Sequence, residues 1–551
     1  MKSTRKGSWL VYALILLFII SLPINTILME VFEASNDNWK HIKETVLQDY
    51  ILNSLILTLG VSFGSLLLGI PTAWLTAVCS FPFKRTIVLL LILPMAMPAY
   101  IIAYTYTGIF DFAGPVQSYI RNYMGWDYGD YFFPEVRSIG GAIVMFSLVL
   151  YPYVYLLART TFLNQSANVI EISRLLNTGP WKSFLRVAFP LARPAIFVGL
   201  SLVLMETLAD YGTVSYFGVT VFTTGIFKTW FGLGDYSTAA KMAAILLIFV
   251  FVLIVGERYS RKRIKYYNLI GTRTRFSEYK LKNREIFIVF LTCSFPILFG
   301  FLIPMMQLLV WAYTAWNNVL NDGFISLIYN SVLLATFASI ISLLVSFSVN
   351  YCQRIIPTYI MILIVRFISI GYALPGTIIA IGIIIPLAFI DHKIDEFLGT
   401  YLRMSFGLIF SGSLFAVQLA YLVRFLSISV NTIESGLEKI RPNMDKASQI
   451  LGISSERTFI RIHLPILKVS ILTSILLVFV DVIKELPATL ILRPFDFNTL
   501  AVKAYELASD ERLIDASIPS VIIVFVGLLP LIIINNSINN FQDSRQKIYN
   551  N

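Results

Sequence analysis

The chain has 551 residues, of which 57% are hydrophobic and only 14% carry a charge. About a quarter of the residues of a water-soluble domain are charged, so this composition excludes a soluble globular protein. The net charge of +11 at pH 7 would suit a nucleic-acid partner only if the basic residues formed one patch.

Apolar runs long enough to cross a bilayer recur along the whole chain. A crossing helix needs about 20 apolar residues, and helices are expected because lipid offers no partner to an unpaired backbone amide. We predict twelve membrane-spanning helices, at residues 9–29, 50–79, 86–110, 139–163, 194–214, 237–256, 286–313, 328–352, 364–387, 406–426, 469–491 and 518–537. The predicted fold class is an all-α integral membrane protein.

The basic residues are not clustered in one patch. They lie before the first predicted helix and in every second loop, and the longest basic stretch is residues 257–285. An excess of Lys and Arg in alternate loops marks the cytoplasmic side of a membrane protein. We therefore predict that both termini are cytoplasmic, that the partner of the apolar surface is the lipid bilayer, and that no nucleic acid binds.

The sequence contains an internal repeat. Asn53-Ser54 recurs as Asn330-Ser331, and residues 97–103 (MPAYIIA) recur as residues 374–380 (LPGTIIA) at the same separation. At a slightly shorter separation Phe222 matches Phe497. Such repeats are typical of transporters built from two related halves.

The repeat predicts three regions. These are a first half at residues 1–256, a basic cytoplasmic linker at 257–285 and a second half at 286–551. With six helices, each half enters and leaves the membrane on the same side. The halves should therefore be related by a pseudo-two-fold axis along the membrane normal.

One cytoplasmic loop in each half, at residues 171–190 and 446–465, has an unusual pattern. Each reads as a short helix, a break, and then an amphipathic stretch that a proline is expected to stop. An exposed helix pair at a membrane surface suits docking to a partner protein. The residues that carry the pattern are Glu171, Asn177, Gly179, Phe184 and Pro190 in the first loop, and Asp445, Lys446, Gly452, Phe459 and Pro465 in the second.

These two loops resemble the EAA loop of binding-protein-dependent ABC importer permeases. The resemblance implies the type I permease fold and implies that each loop is a coupling helix that contacts an ATPase subunit. Two departures stand out, because Asn177 replaces the expected glycine and Lys446 stands where an acid is expected. The two halves are thus expected to contact their ATPase subunits unequally.

The chain contains no Gly-Lys dipeptide and so no Walker A phosphate-binding loop. We expect it to bind no cofactor of its own and to have no ATPase site. ATP-Mg is then used by separate ABC ATPase subunits, most simply a homodimer that faces the two loops.

A wider resemblance covers most of the chain and points to the fused, two-half ferric iron permeases. The similar segments are residues 204–214, 222–230, 484–489 and 505–512. The resemblance implies a permease of the bacterial inner membrane that receives ferric iron from an extracytoplasmic binding protein. Three alternatives stay open: the same architecture for thiamine, a polyamine or an anion, an ion-coupled secondary transporter, and a membrane scaffold without transport.

Four acids in or near apolar spans pair through the repeat, Glu206 with Asp481 and Asp210 with Glu485. A charge at membrane depth costs about 2.5–3.5 kcal/mol or more, so such residues usually face an aqueous interior. The spacing of four predicts that each half places its two acids on one helix face. Carboxylates suit Fe(III), a hard cation that prefers oxygen ligands, so we predict transient contacts but no stable metal site. The alternative is that they bond to helix ends or to Lys484.

Pro98 and Pro375, inside the repeated seven-residue motif, are predicted to kink or interrupt the third helix of each half beside the pathway. An adaptation of packing without a transport role is the alternative.

Overall fold

A computed structural model shows an almost entirely helical chain. The structure describes residues 2–34, 36–127, 129–164, 180–262, 279–319, 322–402, 407–440, 442–451 and 455–550.

The first half contains twelve α-helices among these described residues. They are α1 (Lys2–Glu30), α2 (Asp37–Thr45), α3 (Leu47–Val78), α4 (Lys84–Leu90), α5 (Ala99–Phe110), α6 (Pro115–Met124), α7 (Ile139–Asn164), α8 (Pro180–Ser183), α9 (Phe189–Ala209), α10 (Gly212–Tyr216), α11 (Phe222–Phe227) and α12 (Tyr236–Lys262).

The described part of the remaining chain continues in the same way. Its helices are α13 (Asn283–Ile297), α14 (Ile303–Val319), α15 (Asp322–Ile355), α16 (Tyr359–Ile368), α17 (Gly376–Leu402), α18 (Leu414–Leu437), α19 (Pro442–Ile450), α20 (Ser455–Thr458), α21 (Leu464–Ile483), α22 (Pro487–Leu492), α23 (Leu500–Ser509) and α24 (Leu513–Asn550). Short π-helical turns lie at Phe184–Ala188, Lys228–Gly232, Leu298–Leu302 and Phe459–His463, and 3-10 turns at Leu93–Ala96 and Gly371–Ala373. Two residues of strand β1 (Cys79–Ser80) pair in parallel with β2 (Tyr279–Lys280).

The prediction of about twelve membrane spans is confirmed in number if one bent helix pair is counted as a span, although the ninth, predicted at 364–387, is Gly376–Tyr401 in the structure. In the described part of the chain, eleven helices are long and apolar enough to cross a bilayer. The twelfth is the bent pair Lys84–Ala96 and Ala99–Met124, whose axes differ by 93°. The eleven are Gly7–Glu30, Leu47–Val78, Ile139–Leu163, Phe184–Ala209, Tyr236–Gly256, Asn283–Trp316, Gly323–Ile355, Gly376–Tyr401, Leu414–Leu437, Phe459–Ile483 and Leu513–Ile532.

The fifth span of each half lies earlier than predicted. The predicted 194–214 is Phe184–Ala209 in the structure, and the predicted 469–491 is Phe459–Ile483. The reason is that the amphipathic stretch of each loop continues directly into the spanning helix instead of ending at a proline.

The chain forms two compact units that do not coincide with the two sequence halves. The first unit comprises Met1–Trp39, Ile226–Ala244 and Leu320–Lys503. Within it α18 packs between α15 and α21, and α1 lies against α17 so closely that a Cβ added at Gly382 would lie 2.4 Å from the backbone of Pro23.

The second unit comprises Lys40–Gly225, Ile245–Val319 and Ala504–Asn551. Its core is the packing of α3 on α7 and α9, with α14 against α24. Small residues make the α3–α7 contact close, since a Cβ at Gly64 would lie 2.1 Å from Ser147 Oγ. Within these described elements, both units are thus built from closely packed helices, as expected where lipid provides no hydrophobic drive between helices.

Candidate functional site

The second EAA-like loop, at residues 446–465, is partly described. Asp445 and Lys446 lie in α19, and the hydroxyls of Ser448 and Thr458 form a hydrogen bond that ties α19 to α20. Gly452 lies outside the described residues, as do Glu171, Asn177 and Gly179 of the first loop. The predicted roles of these residues remain predictions.

A phenylalanine joins each loop to the membrane helices. Phe184 lies 5.1 Å from the ring of Trp74 and 6.2 Å from that of Phe162. Its repeat counterpart Phe459 lies 5.2 Å from the ring of Tyr351 and 5.8 Å from that of Phe347. We call these two groups of rings, around Phe184 and around Phe459, the aromatic sockets, and each joins its loop to the packed helices.

A π-helical turn follows each of these phenylalanines. The N–H of Phe189 donates to the carbonyl of Phe184, and the N–H of Leu464 donates to that of Phe459. Pro190 and Pro465 come directly after these turns and do not stop the helix, contrary to the prediction. A proline lacks the N–H for the regular bond and its ring crowds the carbonyl of the preceding turn. The wider π turn accommodates both, and such turns are frequent at functional sites.

In the first half, the acid predicted for the pathway caps a short helix. Asp210 follows the end of α9 with extended backbone angles, so it does not share a helix face with Glu206 as predicted. Its Oδ1 accepts hydrogen bonds from the N–H of Thr213 at 2.8 Å and of Val214 at 3.4 Å, and its Oδ2 accepts from Thr213 Oγ1 at 3.1 Å. These partners at the start of α10 are uncharged. Desolvation raises the pKa of Asp210 to about 7, with repulsion by Glu206 as a smaller contribution.

The equivalent acid of the second half has a different electrostatic environment. Glu485, which is buried, accepts hydrogen bonds from the N–H groups of Ala488 and Thr489 at the start of α22, at 3.0 and 3.1 Å. Its Oε1 also pairs with Arg424 Nη1 at 3.1 Å. The neighbouring acid Asp481 pairs with Lys484 at 2.7 Å. For Asp210, Asp481 and Glu485, the described contacts are thus those of the alternative interpretation, in which the acids bond to helix ends or to Lys484.

Arg424 is the residue of this site that the sequence reasoning missed. It is buried in the middle of α18, 61 residues before its partner Glu485. The available signal was a lone arginine inside an apolar span, a position where a charge is costly unless it is paired. Only the folded chain identifies the partner.

The helix is interrupted before α5 at Pro98 and before α17 at Pro375. Pro98 has extended backbone angles between the 3-10 turn and α5, and Leu374 has them before α17. In the second half, a Cβ at Gly376 would lie 2.5 Å from Arg424 Nη1 and 2.8 Å from Glu485 Oε1. The repeat places Ala99 at this position in the first half. A side chain at this position would therefore crowd the ion pair.

The repeated Asn-Ser pair holds the segment that follows each acid. Asn53 Nδ2 donates to the carbonyl of Thr220 at 3.0 Å, and Ser54 Oγ accepts from the N–H of Phe222 at 3.3 Å. A small pocket lies beside this contact, lined by the hydroxyl-bearing residues Ser54, Thr207 and Thr223 and by apolar side chains.

The second half repeats these contacts. Asn330 Nδ2 donates to the carbonyl of Asn498 at 3.2 Å, and Ser331 Oγ accepts from the N–H of Leu500 at 2.8 Å. Leu500 is therefore the structural counterpart of Phe222, rather than Phe497 as the sequence match suggested. The reason is a longer connection between α22 and α23 than between α10 and α11.

Within the described residues, no group of three or more His, Cys, Asp or Glu side chains is placed to hold a metal ion. The described residues instead form two aromatic sockets, one at the start of the fifth span of each half. They also form two short helices, each of which follows a fifth span and is capped by an acid, Asp210 or Glu485.

These features define a polytopic membrane permease with a duplicated body. The chain belongs to the family described as binding-protein-dependent transport system inner membrane component, which matches residues 65–266 and again residues 358–548. One match falls in each half, so the chain contains two permease bodies of an inner-membrane family.

Relatives of two lengths are similar to this chain. The Fe(3+)-transport system permease protein FbpB 2 of Haemophilus influenzae is 22% identical over 491 residues, covering 88% of this chain and 89% of the relative. The ferric transport system permease protein FbpB of Actinobacillus pleuropneumoniae is 22% identical over 541 residues, covering 91% and 73%. The molybdenum transport system permease protein ModB of Escherichia coli is 26% identical over 226 residues. The aligned region covers 39% of this chain and 95% of the relative.

Proposed function

We propose that this chain is the permease subunit of an ATP-driven importer that moves ferric iron across the bacterial inner membrane. The observation that carries the proposal is the share of this chain that aligns with each relative. The Haemophilus ferric permease aligns with 88% of this chain, both halves included, whereas the molybdenum permease aligns with 39% of it.

The proposed partners follow from the family. Two ABC ATPase subunits, most simply a homodimer, dock on the loops at 171–190 and 446–465 and bind ATP-Mg, and this chain has no ATPase site of its own. Both termini lie on the same, cytoplasmic side. An extracytoplasmic binding protein delivers iron on the opposite side. ATP binding then moves the loops, and the Phe184 and Phe459 sockets carry the displacement to the spanning helices.

The acids contribute unequally to the proposed pathway. Asp481 and Glu485 are paired with basic side chains, so their charge is neutralised. Asp210 has only uncharged partners among its hydrogen bonds, and Glu206 is close enough to repel it. We therefore assign the strongest of the transient oxygen contacts to Fe(III) to the first half, at Asp210.

The test is ATPase activity of the chain in lipid nanodiscs with its ATPase subunits and binding protein. We expect stimulation by the ferric-loaded binding protein and little by the empty one. Replacing Glu171 and Gly452 should abolish the stimulation while the subunits still assemble. Stimulation by a molybdate- or sulfate-loaded binding protein instead would overturn the iron assignment but keep the importer.

A further inference from the structure

Two polar side chains of helix α6 in the first half, Gln117 and Arg121, are turned toward the protein. Gln117 is buried, donates from Nε2 to the carbonyl of Phe110 at 2.7 Å, and accepts from the hydroxyl of Tyr131 at 2.7 Å. Arg121 donates to the same Tyr131 oxygen at 3.2 Å and lies 3.9 Å over the ring of Phe112. These two side chains therefore attach α6 to Phe110 before it and to Tyr131 after it.

The opposite face of α6 and the loop after it expose large aromatic side chains. Tyr119 and Tyr123 are 70% and 73% exposed and stack with ring centroids 6.1 Å apart. Phe132 is 90% exposed, and Trp126 stacks on Tyr131 at 5.7 Å. We call Tyr119, Tyr123, Trp126 and Phe132 the aromatic platform. Large exposed apolar side chains grouped on one short segment are a candidate interaction surface.

The position of the platform excludes the ATPase subunits as its partner. The platform precedes the spanning helix Ile139–Leu163, and the first coupling loop follows that helix. The two ends of one spanning helix lie on opposite sides of the membrane. The platform is therefore on the side from which a binding protein would approach.

The charges around the platform favour a protein over lipid. The charged residues of segment 111–136 are four acids and Arg121, which is already engaged, and the next base Arg137 pairs with Glu511 at 2.9 Å. The acids, all exposed, are Asp111, Asp127, Asp130 and Glu135. Helices that lie on a bilayer carry Lys and Arg on the polar face, opposite to this arrangement. Aromatic residues inside a polar rim are instead the usual make-up of a protein–protein interface.

We propose that the aromatic platform is the docking surface for the extracytoplasmic binding protein, through an apolar patch with basic side chains around it. The inference rests on the proposed function, because that function requires such a partner. Tyrosine and tryptophan at the centre of an interface carry most of its binding energy, and acids at the rim govern association and its dependence on salt.

The first experiment measures the Kd between the full chain in nanodiscs and the purified ferric-loaded binding protein of the same organism. Tyr119→Ala/Tyr123→Ala should weaken binding about tenfold or more. The control is Leu59→Ala/Phe63→Ala, which removes two exposed side chains of the spanning helix α3 and should leave the Kd unchanged. Asp127→Asn/Asp130→Asn should reduce the salt dependence of association.

The outcomes separate the two levels of the proposal. If the parent chain binds no loaded binding protein, the proposed function is overturned. If the parent binds and Tyr119→Ala/Tyr123→Ala binds equally well, only the platform assignment is overturned.

A second experiment tests the lipid alternative. The difference in fluorescence between the parent chain and Trp126→Phe reports on Trp126. Nanodiscs of brominated phosphatidylcholine should leave this difference unquenched if the platform faces the binding protein. Quenching would place Trp126 in the lipid interface and overturn the docking surface.

Discussion

The two halves share one backbone arrangement but differ in charge at the acid that follows the fifth span. Asp210 caps α10 and its partners among the described residues are uncharged, whereas Glu485 caps α22 and is paired with the buried Arg424. Ala99 in the first half is matched by Gly376 in the second, where a Cβ would meet the ion pair. Both halves thus use the same kind of capping hydrogen bonds, but the acid of the second half is paired with an arginine, whereas the described partners of the acid in the first half are uncharged.

The difference teaches that repeat symmetry in sequence does not guarantee symmetry in function. Capping a helix and contacting a cargo make opposite demands on a carboxylate. A carboxylate held by an arginine is neutralised and immobile, and a carboxylate with neutral partners can exchange one of them for a cation.

The largest expected effect is at Arg424. Arg424→Met leaves Glu485 buried without its charged partner, and breaking a buried pair in this way costs about 3–5 kcal/mol. The double variant Arg424→Met/Glu485→Gln should recover much of that loss, because no uncompensated charge remains. Thermal unfolding in detergent measures both. Equal loss in the single and double variants would mean that the pair is not the source of stability.

The next largest effect is expected at Gly376, which is compared with its repeat counterpart Ala99. Gly376→Ala forces a Cβ against Arg424 and Glu485 and should cost about 1–3 kcal/mol. Ala99→Gly in the first half should cost no more than about 1 kcal/mol, from backbone entropy. The same unfolding assay compares them. A tolerated Gly376→Ala would show that the ion pair can shift at little cost.

A smaller effect is expected at the repeated asparagines. Asn53 donates to both the carbonyl and the hydroxyl of Thr220, whereas the bond described for Asn330 is to the carbonyl of Asn498. Each substitution by Ala should cost about 1 kcal/mol, with the larger loss at Asn53. Hydrogen exchange in residues 217–222 and 495–500 should rise locally in the matching variant. Exchange that rises equally in both segments for either variant would argue against local anchoring.

A further effect is a dependence on pH. The folded carboxyl of Asp210 has a pKa of about 7, above the ordinary 3.8, so the folded chain binds more protons between these values. Its contribution to stability is present at about pH 4 and is lost as pH rises through 7. The melting temperature of the parent should therefore fall relative to that of Asp210→Asn between about pH 5 and 8. Parallel curves for the two proteins would contradict the raised pKa.

Much of the fold could be predicted from the sequence. The twelve spans follow from apolar length, and the duplication follows from the match between residues 97–103 and 374–380. The fifth spans were placed too late, because the π turns at Phe184 and Phe459 carry each helix through a proline and leave no composition signal.

The site could be predicted only in part. The four acids were found as charges in apolar surroundings, but Asp210 and Glu485 lie just past the helix ends and not on a shared face. Arg424 was missed since its pairing with Glu485 depends on how α18 packs against the segment after α21. A pairing between residues so far apart in the chain leaves no periodic pattern in the sequence, so it could not be inferred.

The most direct test of the difference between the halves is ATP-driven uptake of radioactive iron into proteoliposomes that contain the full transporter. Uptake per ATP hydrolysed is compared in Asp210→Asn and in Arg424→Met/Glu485→Gln. We predict a several-fold loss in Asp210→Asn and little change in the double variant, which preserves a neutral second half. Equal losses in both, or no loss in Asp210→Asn, would contradict the assignment of the cargo contact to the first half.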